Sequence, residues 1–261
     1  MEKIIEIDNL NFKYESLSVF NEFCINIFDQ NTSIIGTSAS GKTTLSKLLS
    51  GIYLSDNIKI YNLKLNKKNL LSIRKKLMVI NNEYVFVSET VADEIAFGME
   101  NLKISNLKMR EIITEMANYF DFQAKLSLDL YSLSKSDQTL IKILSFVVMK
   151  PQIIVMDDIL TYLDPEEKAK LFKYLKEQNI KYINITTDME EVLQSDYLIM
   201  LDKGKIVIEG KTKNVLAEEK IIKRFGFNLP FVVDLSCQLQ IYGLLDKRYY
   251  DINKIIGEIW K

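Results

Sequence analysis

Eight consecutive residues, from Gly36 to Thr43, have the types and the spacing needed to hold a phosphate group. They match the pattern G-x-x-x-x-G-K-[ST] at every fixed position, between a short apolar run and a helix-forming segment. Glycines let the backbone curl so that successive N–H groups point at phosphate oxygens, and the following helix N-terminus adds partial positive charge. The predicted binding residues are Gly36, Thr37, Ser38, Ala39, Ser40, Gly41, Lys42, Thr43 and Thr44. The alternative is a chance glycine turn before a helix, and the Lys-Thr pair argues against it.

Two side chains of this loop and one distant acid predict a bound nucleoside triphosphate with Mg²⁺. Lys42 would reach the β- and γ-phosphates, and the Thr43 hydroxyl would coordinate the metal. Asp157 directly follows the apolar run 153–156 and is the second predicted Mg²⁺ ligand. An acid at the end of a strand is common, so this assignment depends on the phosphate loop. The expected cofactors are therefore ATP and Mg²⁺.

The sequence contains no histidine, which removes several kinds of catalytic site from consideration. A Ser-His-Asp site, a Cys-His site and a histidine-ligated metal all need an imidazole within the chain. The two cysteines, Cys24 and Cys237, lie far apart without metal-ligand or redox spacing, and we expect reduced thiols in a cytosolic protein.

Composition excludes further classes of protein. The chain has 261 residues, 48% of them apolar and 26% charged. Its net charge of −1 gives no sign of a nucleic-acid footprint, and no nucleic-acid partner is expected. No segment resembles a signal peptide, and apolar runs such as 143–149 are shorter than the roughly 20 residues of a membrane span. Any membrane role is expected to be peripheral.

The elements that must position these residues alternate between strands and helices. Short apolar runs at 33–35, 153–156 and 182–186 predict buried strands, and helical patterns separate them. The pattern predicts an α/β sheet with helices on both faces. We expect one domain over 1–220, with a helical subdomain inserted at about 87–140, and a short helical extension over 221–261.

Several stretches outside the phosphate loop resemble the ABC-type ATPases and, within them, the ATP-binding subunits of energy-coupling-factor transporters. These stretches are Ile73–Leu77, Thr90–Gly98, the signature-like start Leu133-Ser134 with Pro151 after it, Leu163–Pro165 and Phe225–Trp260. The resemblance implies a P-loop, RecA-like ABC ATPase core with the helical subdomain and the helical C-terminal extension. It also implies that Tyr14 stacks on adenine and that Ser134 contacts nucleotide.

The resemblance further implies partners and a location. They are a second ABC ATPase subunit, in a heterodimer, a transmembrane coupling subunit and a substrate-binding membrane protein. The chain would lie peripherally at the cytoplasmic face of the cell membrane. In this family the separate membrane protein selects the small substrate, often a vitamin or a metal ion, so no residue of this chain encodes it.

Five positions depart from the family pattern. Asn81 replaces the Gln that contacts Mg²⁺, Asp158 replaces the catalytic Glu, Thr187 replaces the γ-phosphate-contacting His, and Lys135 and Ser136 replace both signature glycines. Asp158 would hold its carboxylate one methylene further back, and a misplacement of about 1 Å can cost about 10²-fold in rate. Asp158, Thr187 and Asn81 are thus predicted catalytic positions with weakened chemistry, and Asn81 is also a candidate metal ligand.

Two functions remain open at this point. In one, the chain is an ATPase subunit with its own slow half-site; in the other, it is mainly an ATP clamp and the partner ATPase hydrolyses. The departures could also be drift with full activity. A P-loop protein unrelated to transport would leave the signature and the C-terminal segment unexplained, and a two-domain ABC protein of translation would need a second phosphate loop. The apolar C-terminal stripes either form a dimer contact or pack on their own domain.

Overall fold

A computed structural model describes residues 2–260, and their contacts group the chain into two compact units. Unit 1 comprises Met1–Leu45, Asn57–Asn62 and Asn184–Lys261. Unit 2 comprises Ser46–Asp56 and Leu63–Ile183. The outermost residues of the predicted domains, positions 1 and 261, lie outside the described residues.

Strands and helices alternate through most of the chain, and the predicted α/β class is confirmed. The strands are β1 Lys3–Tyr14, β2 Leu17–Phe28, β3 Thr32–Gly36, β4 Ser55–Ile60, β5 Leu63–Leu65, β6 Leu77–Asn81, β7 Ile153–Asp157, β8 Lys181–Ile185, β9 Tyr197–Asp202 and β10 Lys205–Lys211. The α-helices are α1 Lys42–Leu49, α2 Leu70–Arg74, α3 Val91–Asn101, α4 Asn106–Phe120, α5 Lys135–Val147, α6 Pro165–Glu177, α7 Thr212–Ala217, α8 Glu219–Arg224, α9 Phe231–Ile241 and α10 Ile252–Ile259.

Two sheets form the framework of unit 1. In the first, β1 pairs antiparallel with β2 and with β4, and the buried isoleucines Ile5 and Ile60 face each other across the second pair. In the second, the order is β10-β9-β3, with the end of β8 next to β3. Strands β3 and β9 run parallel, with Ile35 opposite Met200. All five residues of β3 are buried, as the apolar run predicts for a central strand.

A hairpin with its turn at 202–205 joins β9 to β10. Asp202 pairs with Lys205, and the turn residues Lys203 and Gly204 have φ values of 46° and 71°. A two-residue turn with positive φ at both positions matches the twist of the flanking strands. This hairpin contacts the phosphate loop.

The C-terminal helices pack on unit 1 through part of their surface. Val232, Val233 and Cys237 of α9 and Ile255 of α10 are buried in a cluster with apolar residues of β3, β9 and α7. Other large apolar side chains in this segment are exposed to solvent. They are Phe231, Ile241, Tyr242, Leu244, Ile252, Ile256, Ile259 and Trp260, called here the exposed C-terminal apolar residues. The segment thus packs on its own unit and also presents apolar surface.

In unit 2, β6 and β7 run parallel, with Leu77 opposite Ile153, and the beginning of β8 follows β7 in the strand order. Helix α6 begins with a capping box, in which the Asp164 carboxylate accepts from the Glu167 N–H at 2.8 Å. Helices α3, α4 and α5 share one apolar core with these strands. Side-chain hydroxyls cap all three helices, from Thr90, Ser105 and Ser134.

No helix within residues 2–260 combines the length and the apolar composition that a transmembrane span needs.

Candidate functional site

The phosphate loop connects the end of β3 to the start of α1 in unit 1. Ala39 and Gly41 have φ values of 60° and 104°, so the chain twice adopts left-handed backbone between Gly36 and Lys42. Alternation of right- and left-handed residues turns successive backbone N–H groups toward one point and forms an anion-binding concavity. The first turn of α1 adds its own free N–H groups on the same side of the loop. The local conformation is suited to phosphate.

Steric contacts explain both fixed glycines of the loop. A Cβ atom on Gly36 would lie 2.4 Å from the carbonyl oxygen of Leu201, and one on Gly41 would lie 2.9 Å from ring carbons of Phe20. Neither separation is tolerated by real side chains, and the φ of Gly41 adds strain for any other residue. The glycines therefore serve close packing of the loop as well as its curvature.

The β9–β10 hairpin holds the loop in place. The Gly204 N–H donates to the carbonyl oxygen of Ser40 at 3.0 Å, and the Thr37 hydroxyl donates to the Asp202 carboxylate at 2.6 Å. These residues are distant in sequence, and no spacing pattern connects them. Asp202 is therefore a positioning residue that sequence reasoning missed.

Lys42 is buried against the loop that carries it. Its Nζ donates to the carbonyl oxygens of Gly36 at 2.6 Å and of Thr37 at 3.0 Å. These contacts satisfy part of the ammonium's hydrogen-bonding capacity in a position where the side chain is only 8% exposed. A bound phosphate would offer the same ammonium charged acceptors, which form stronger hydrogen bonds than neutral carbonyls.

A cavity of about 180 Å³ opens beside the loop. Its wall contains the predicted residues Tyr14, Thr43 and Thr44, together with two residues that sequence reasoning missed, Leu17 and Val19. The remaining lining residues are Ala39, Ser40, Gly41 and Lys42. One wall is thus aromatic and aliphatic and the other is the phosphate loop, an arrangement that fits the base and the phosphates of a nucleotide.

One polar atom in this wall lacks a partner. The Ser40 hydroxyl oxygen is buried and makes no hydrogen bond with any residue in the described part of the chain. Leaving a buried hydroxyl without a partner is costly, about 1–3 kcal/mol. A phosphate oxygen or an ordered water in the cavity would remove that cost, so the loop fits an anionic ligand.

The acidic strand end lies in unit 2. Asn81 and Asp157 are opposite each other as the last residues of β6 and β7. Because these strands are parallel, both side chains belong to the carboxyl edge of the sheet, where ligands of α/β proteins bind. Asp157 is buried, and carboxylate and amide oxygens are the hard ligands that Mg²⁺ prefers.

Asp158 follows in an unusual backbone conformation, with φ at 51°. Its carbonyl oxygen accepts from the Asn82 amide at 3.1 Å and from the Thr161 hydroxyl at 3.3 Å. Asp and Asn occupy the left-handed region more readily than longer side chains do. The short acidic residue at this position therefore suits the local turn.

The signature-like segment is involved in local hydrogen bonds. The Ser134 hydroxyl caps α5 by accepting from the Asp137 N–H at 3.1 Å, and it donates to the Asp137 carboxylate at 2.7 Å. Lys135 is the first residue of α5, and the Ser136 hydroxyl donates to the Glu167 carboxylate. The two side chains that replace the family's glycines thus lie in the first turn of α5.

Thr187 is exposed and follows the end of β8 in unit 1. The N–H of its neighbour Thr186 donates to the carbonyl oxygen of Ile34 at 3.0 Å, two residues before the phosphate loop. Three residues further on, the Glu190 carboxylate accepts from the Phe231 N–H, the first of α9, at 2.5 Å. The loop that carries Thr187 is therefore attached to β3 at one end and to the C-terminal helices at the other.

The structure therefore gathers the predicted residues into two groups. Unit 1 holds the phosphate loop together with Tyr14 in one cavity wall, and Thr187 beyond the end of β8. Unit 2 holds Asn81 and Asp157 side by side, Asp158 next to them in the chain, and Ser134 at the start of α5.

Comparison with known proteins adds a consistent result. Residues 25–161 match the ABC transporter family. The energy-coupling factor transporter ATP-binding protein EcfA1 of Mycoplasma mobile is 32% identical over 270 residues, covering 99% of this chain and 97% of that protein. The protein of the same name from Mycoplasmopsis synoviae is 33% identical, covering 89% of this chain and 92% of its own. Among solved structures, cbiO1 from Clostridium perfringens, part of the ABC transporter complex cbiONQ, has a TM-score of 0.73 at 22% identity, covering 86% and 94% of the two chains. The last similarity supports the ABC ATPase fold.

Proposed function

Because this chain belongs to the ATP-binding subunits of energy-coupling-factor ABC transporters, we propose that it binds Mg-ATP as one half of a two-subunit ATPase. The observation that carries the proposal is the cavity that joins Tyr14 to the phosphate loop. The loop N–H groups and Lys42 would hold the phosphates, and the Tyr14 ring would pack on the adenine.

The proposed metal ligands are the Thr43 hydroxyl and the Asp157 carboxylate, with Asn81 as a further candidate beside Asp157. Bound Mg²⁺ would neutralise charge on the β- and γ-phosphates. The chain's own part is to supply oxygen ligands at the ends of β6 and β7 and to hold the phosphates on backbone N–H groups.

Hydrolysis at this chain's own half-site is proposed to be slow. Asp158 and Thr187 would have to do the work that the family assigns to a glutamate and a histidine. The left-handed φ of Asp158 supports the idea that this turn is adapted to a short side chain rather than to a longer one. A mainly non-hydrolytic ATP clamp is the limiting case of the same proposal.

The proposed partners are a second ABC ATPase subunit in a heterodimer, a transmembrane coupling subunit and a substrate-binding membrane protein. The complex would take up a small substrate, a vitamin or a metal ion, with this chain at the cytoplasmic face of the membrane. Support comes from the transporter names of the relatives and from the exposed C-terminal apolar residues, which suit a protein contact.

The proposed domain division has a core over 1–220, with its helical subdomain at about 87–140, and an extension over 221–261.

The test is calorimetric titration of Mg-ATP into the purified chain and into two lysine variants. Lys42→Ala should remove most of the binding, because Lys42 is the principal cationic anchor. Lys220→Ala, which removes one exposed lysine from α8, should bind as the wild type does. Equal affinity in Lys42→Ala and Lys220→Ala would overturn the site assignment.

A further inference from the structure

Unit 2 contains a polar cavity of about 110 Å³ that is separate from the nucleotide cavity beside the phosphate loop. It lies against α5 and the segment after Asp158. The residues that line it are Asn82, Lys135, Gln138, Thr139, Lys142, Ile159 and Tyr162. One water needs roughly 10–15 Å³ of such space, so the cavity has room for several waters or one small polyatomic ion.

The cavity is positively charged. Lys135 and Lys142 are seven residues apart on α5, about two helical turns, so they lie on one face of the helix. Among residues 2–260, neither ammonium lies within 4 Å of a carboxylate. Partial burial, followed by the charge of Lys135, lowers the pKa of Lys142 from its usual value. Two cations therefore share a small polar space without a counterion.

Aromatic packing keeps the Lys142 ammonium in this position. Its Nζ lies 5.1 Å from the centre of the Phe86 ring and 5.9 Å from that of Tyr84. Such contacts stabilise a cation but neutralise none of its charge. The side chain is thus supported on one side by rings and open to the cavity on the other.

The remaining walls carry polar groups. The Gln138 amide donates to the carbonyl oxygen of Leu133 at 3.1 Å, and the Asn82 amide donates to that of Asp158 at 3.1 Å. Thr139, which is almost fully buried, and Tyr162 bring hydroxyl groups to the lining. Ammonium and hydroxyl groups are the donors that bind a tetrahedral oxyanion.

We propose that this cavity binds a small oxyanion of the phosphate class, separately from the phosphate loop. Its size admits one small polyatomic ion, and its two ammonium groups favour a multiply charged anion over a chloride ion. Because Asn82 forms one wall and also holds the Asp158 carbonyl, an ion bound here stabilises the turn beside the proposed Mg²⁺ ligand.

The test uses the full chain carrying Lys42→Ala, which weakens phosphate binding at the loop. Orthophosphate is titrated without nucleotide and binding is followed by calorimetry, with sulfate, acetate and chloride at equal ionic strength as comparison ions. Three further variants are built in this background. Lys142→Met removes the charge and keeps the chain length, Thr139→Val removes a hydroxyl at similar volume, and Lys173→Met removes an exposed lysine elsewhere in unit 2 as the matched control.

Saturable binding of orthophosphate and sulfate is expected, weakened about tenfold or more by Lys142→Met, less by Thr139→Val, and unchanged by Lys173→Met. Chloride binding as strong as orthophosphate binding would show general ionic screening and overturn the proposal. An equal loss of orthophosphate affinity in Lys142→Met and Lys173→Met would do the same. Binding of acetate but not of orthophosphate would also overturn it, and would indicate a pocket for a partner's carboxylate. If Lys142→Met fails to fold, Thr139→Val decides between the same outcomes.

Discussion

Asn81 and Asp157 end two neighbouring parallel strands at the same register position, so an amide and a buried carboxylate stand side by side at the edge of a sheet. Parallel strands bring their carboxyl ends to one edge of the sheet whatever their separation in the chain. Here 76 positions separate Asn81 from Asp157. A pair of hard oxygen ligands there suits Mg²⁺, which usually retains water and uses one or two protein carboxylates.

The first prediction follows from this pair. Asp157→Asn should weaken ATP binding in the presence of Mg²⁺ by about tenfold or more, and so remove most of the affinity that Mg²⁺ adds. The reason is that a neutral amide replaces the only charged protein ligand in the proposal. The measurement is ATP affinity with Mg²⁺ and with a chelator, by calorimetry. Asp246→Asn, which removes an exposed carboxylate, is the matched control. An unchanged Mg²⁺ effect in Asp157→Asn would exclude Asp157 as a ligand.

The second prediction concerns the aromatic wall of the nucleotide cavity. Tyr14→Ala should weaken ATP binding by about 1 kcal/mol, or roughly fivefold, because a stacked ring is lost. Tyr14→Phe should bind normally, since the ring remains and can still contact Phe12, whose centroid lies 5.0 Å from that of Tyr14. A comparable loss in both variants would assign the effect to the phenolic hydroxyl and contradict stacking.

The third prediction separates the two roles of the C-terminal helices. Replacing the exposed Ile241 and Tyr242 by serine should weaken association with the second ATPase subunit and leave folding and ATP affinity intact, because both side chains are more than three-quarters exposed. Val233→Ala, at a fully buried position of α9, should instead lower the free energy of unfolding by about 1–3 kcal/mol.

The measurements for the third prediction are association by analytical ultracentrifugation and stability by denaturant unfolding. Point substitutions are sharper than deletion from Phe231 onward, because deletion also removes buried residues of the unit 1 core. Normal association of the double serine variant would show that these side chains take no part in the subunit contact.

Local patterns in the sequence were enough to predict the elements that carry the site. The glycines and the Lys-Thr pair define the phosphate loop, and the apolar runs at 33–35 and 153–156 correspond to the buried strands β3 and β7. Each of these signals depends on residues that are neighbours in the chain, so it can be recognised in a single sequence.

The supporting contacts could not be predicted in this way. The bond between Thr37 and Asp202 joins residues 165 positions apart, and Leu17 and Val19 reach the cavity only because β2 folds back on β1. The cavity that Lys135 and Lys142 share with Asn82 likewise depends on tertiary packing. Tertiary contacts of this kind leave no local period in the sequence.

The last prediction assigns the departures from the family to two different sites. In ABC-type dimers the subunits pack head to tail, so each ATP lies between one subunit's phosphate loop and the other's signature. If the partner has the complete motifs, Asp158, Thr187 and Asn81 weaken the site on this chain's phosphate loop. Lys135 and Ser136, in the first turn of α5, alter the other site, whose catalytic glutamate and histidine come from the partner.

The site with the partner's glutamate should therefore perform most of the hydrolysis. A missing glutamate and histidine impair the positioning of the attacking water, whereas an altered signature mainly affects closure around bound ATP. Asp158→Asn should leave transport largely intact, and it also keeps a residue type that tolerates the left-handed φ of this position. Removal of the partner's glutamate should abolish transport.

Ser134→Arg should also reduce transport severely, because it puts a long cation at the cap of α5 in the working site. All three variants are compared in one transport assay with the assembled complex, and the isolated chain should hydrolyse ATP slowly. A loss in Asp158→Asn as large as that caused by the partner variant would show that both half-sites contribute equally.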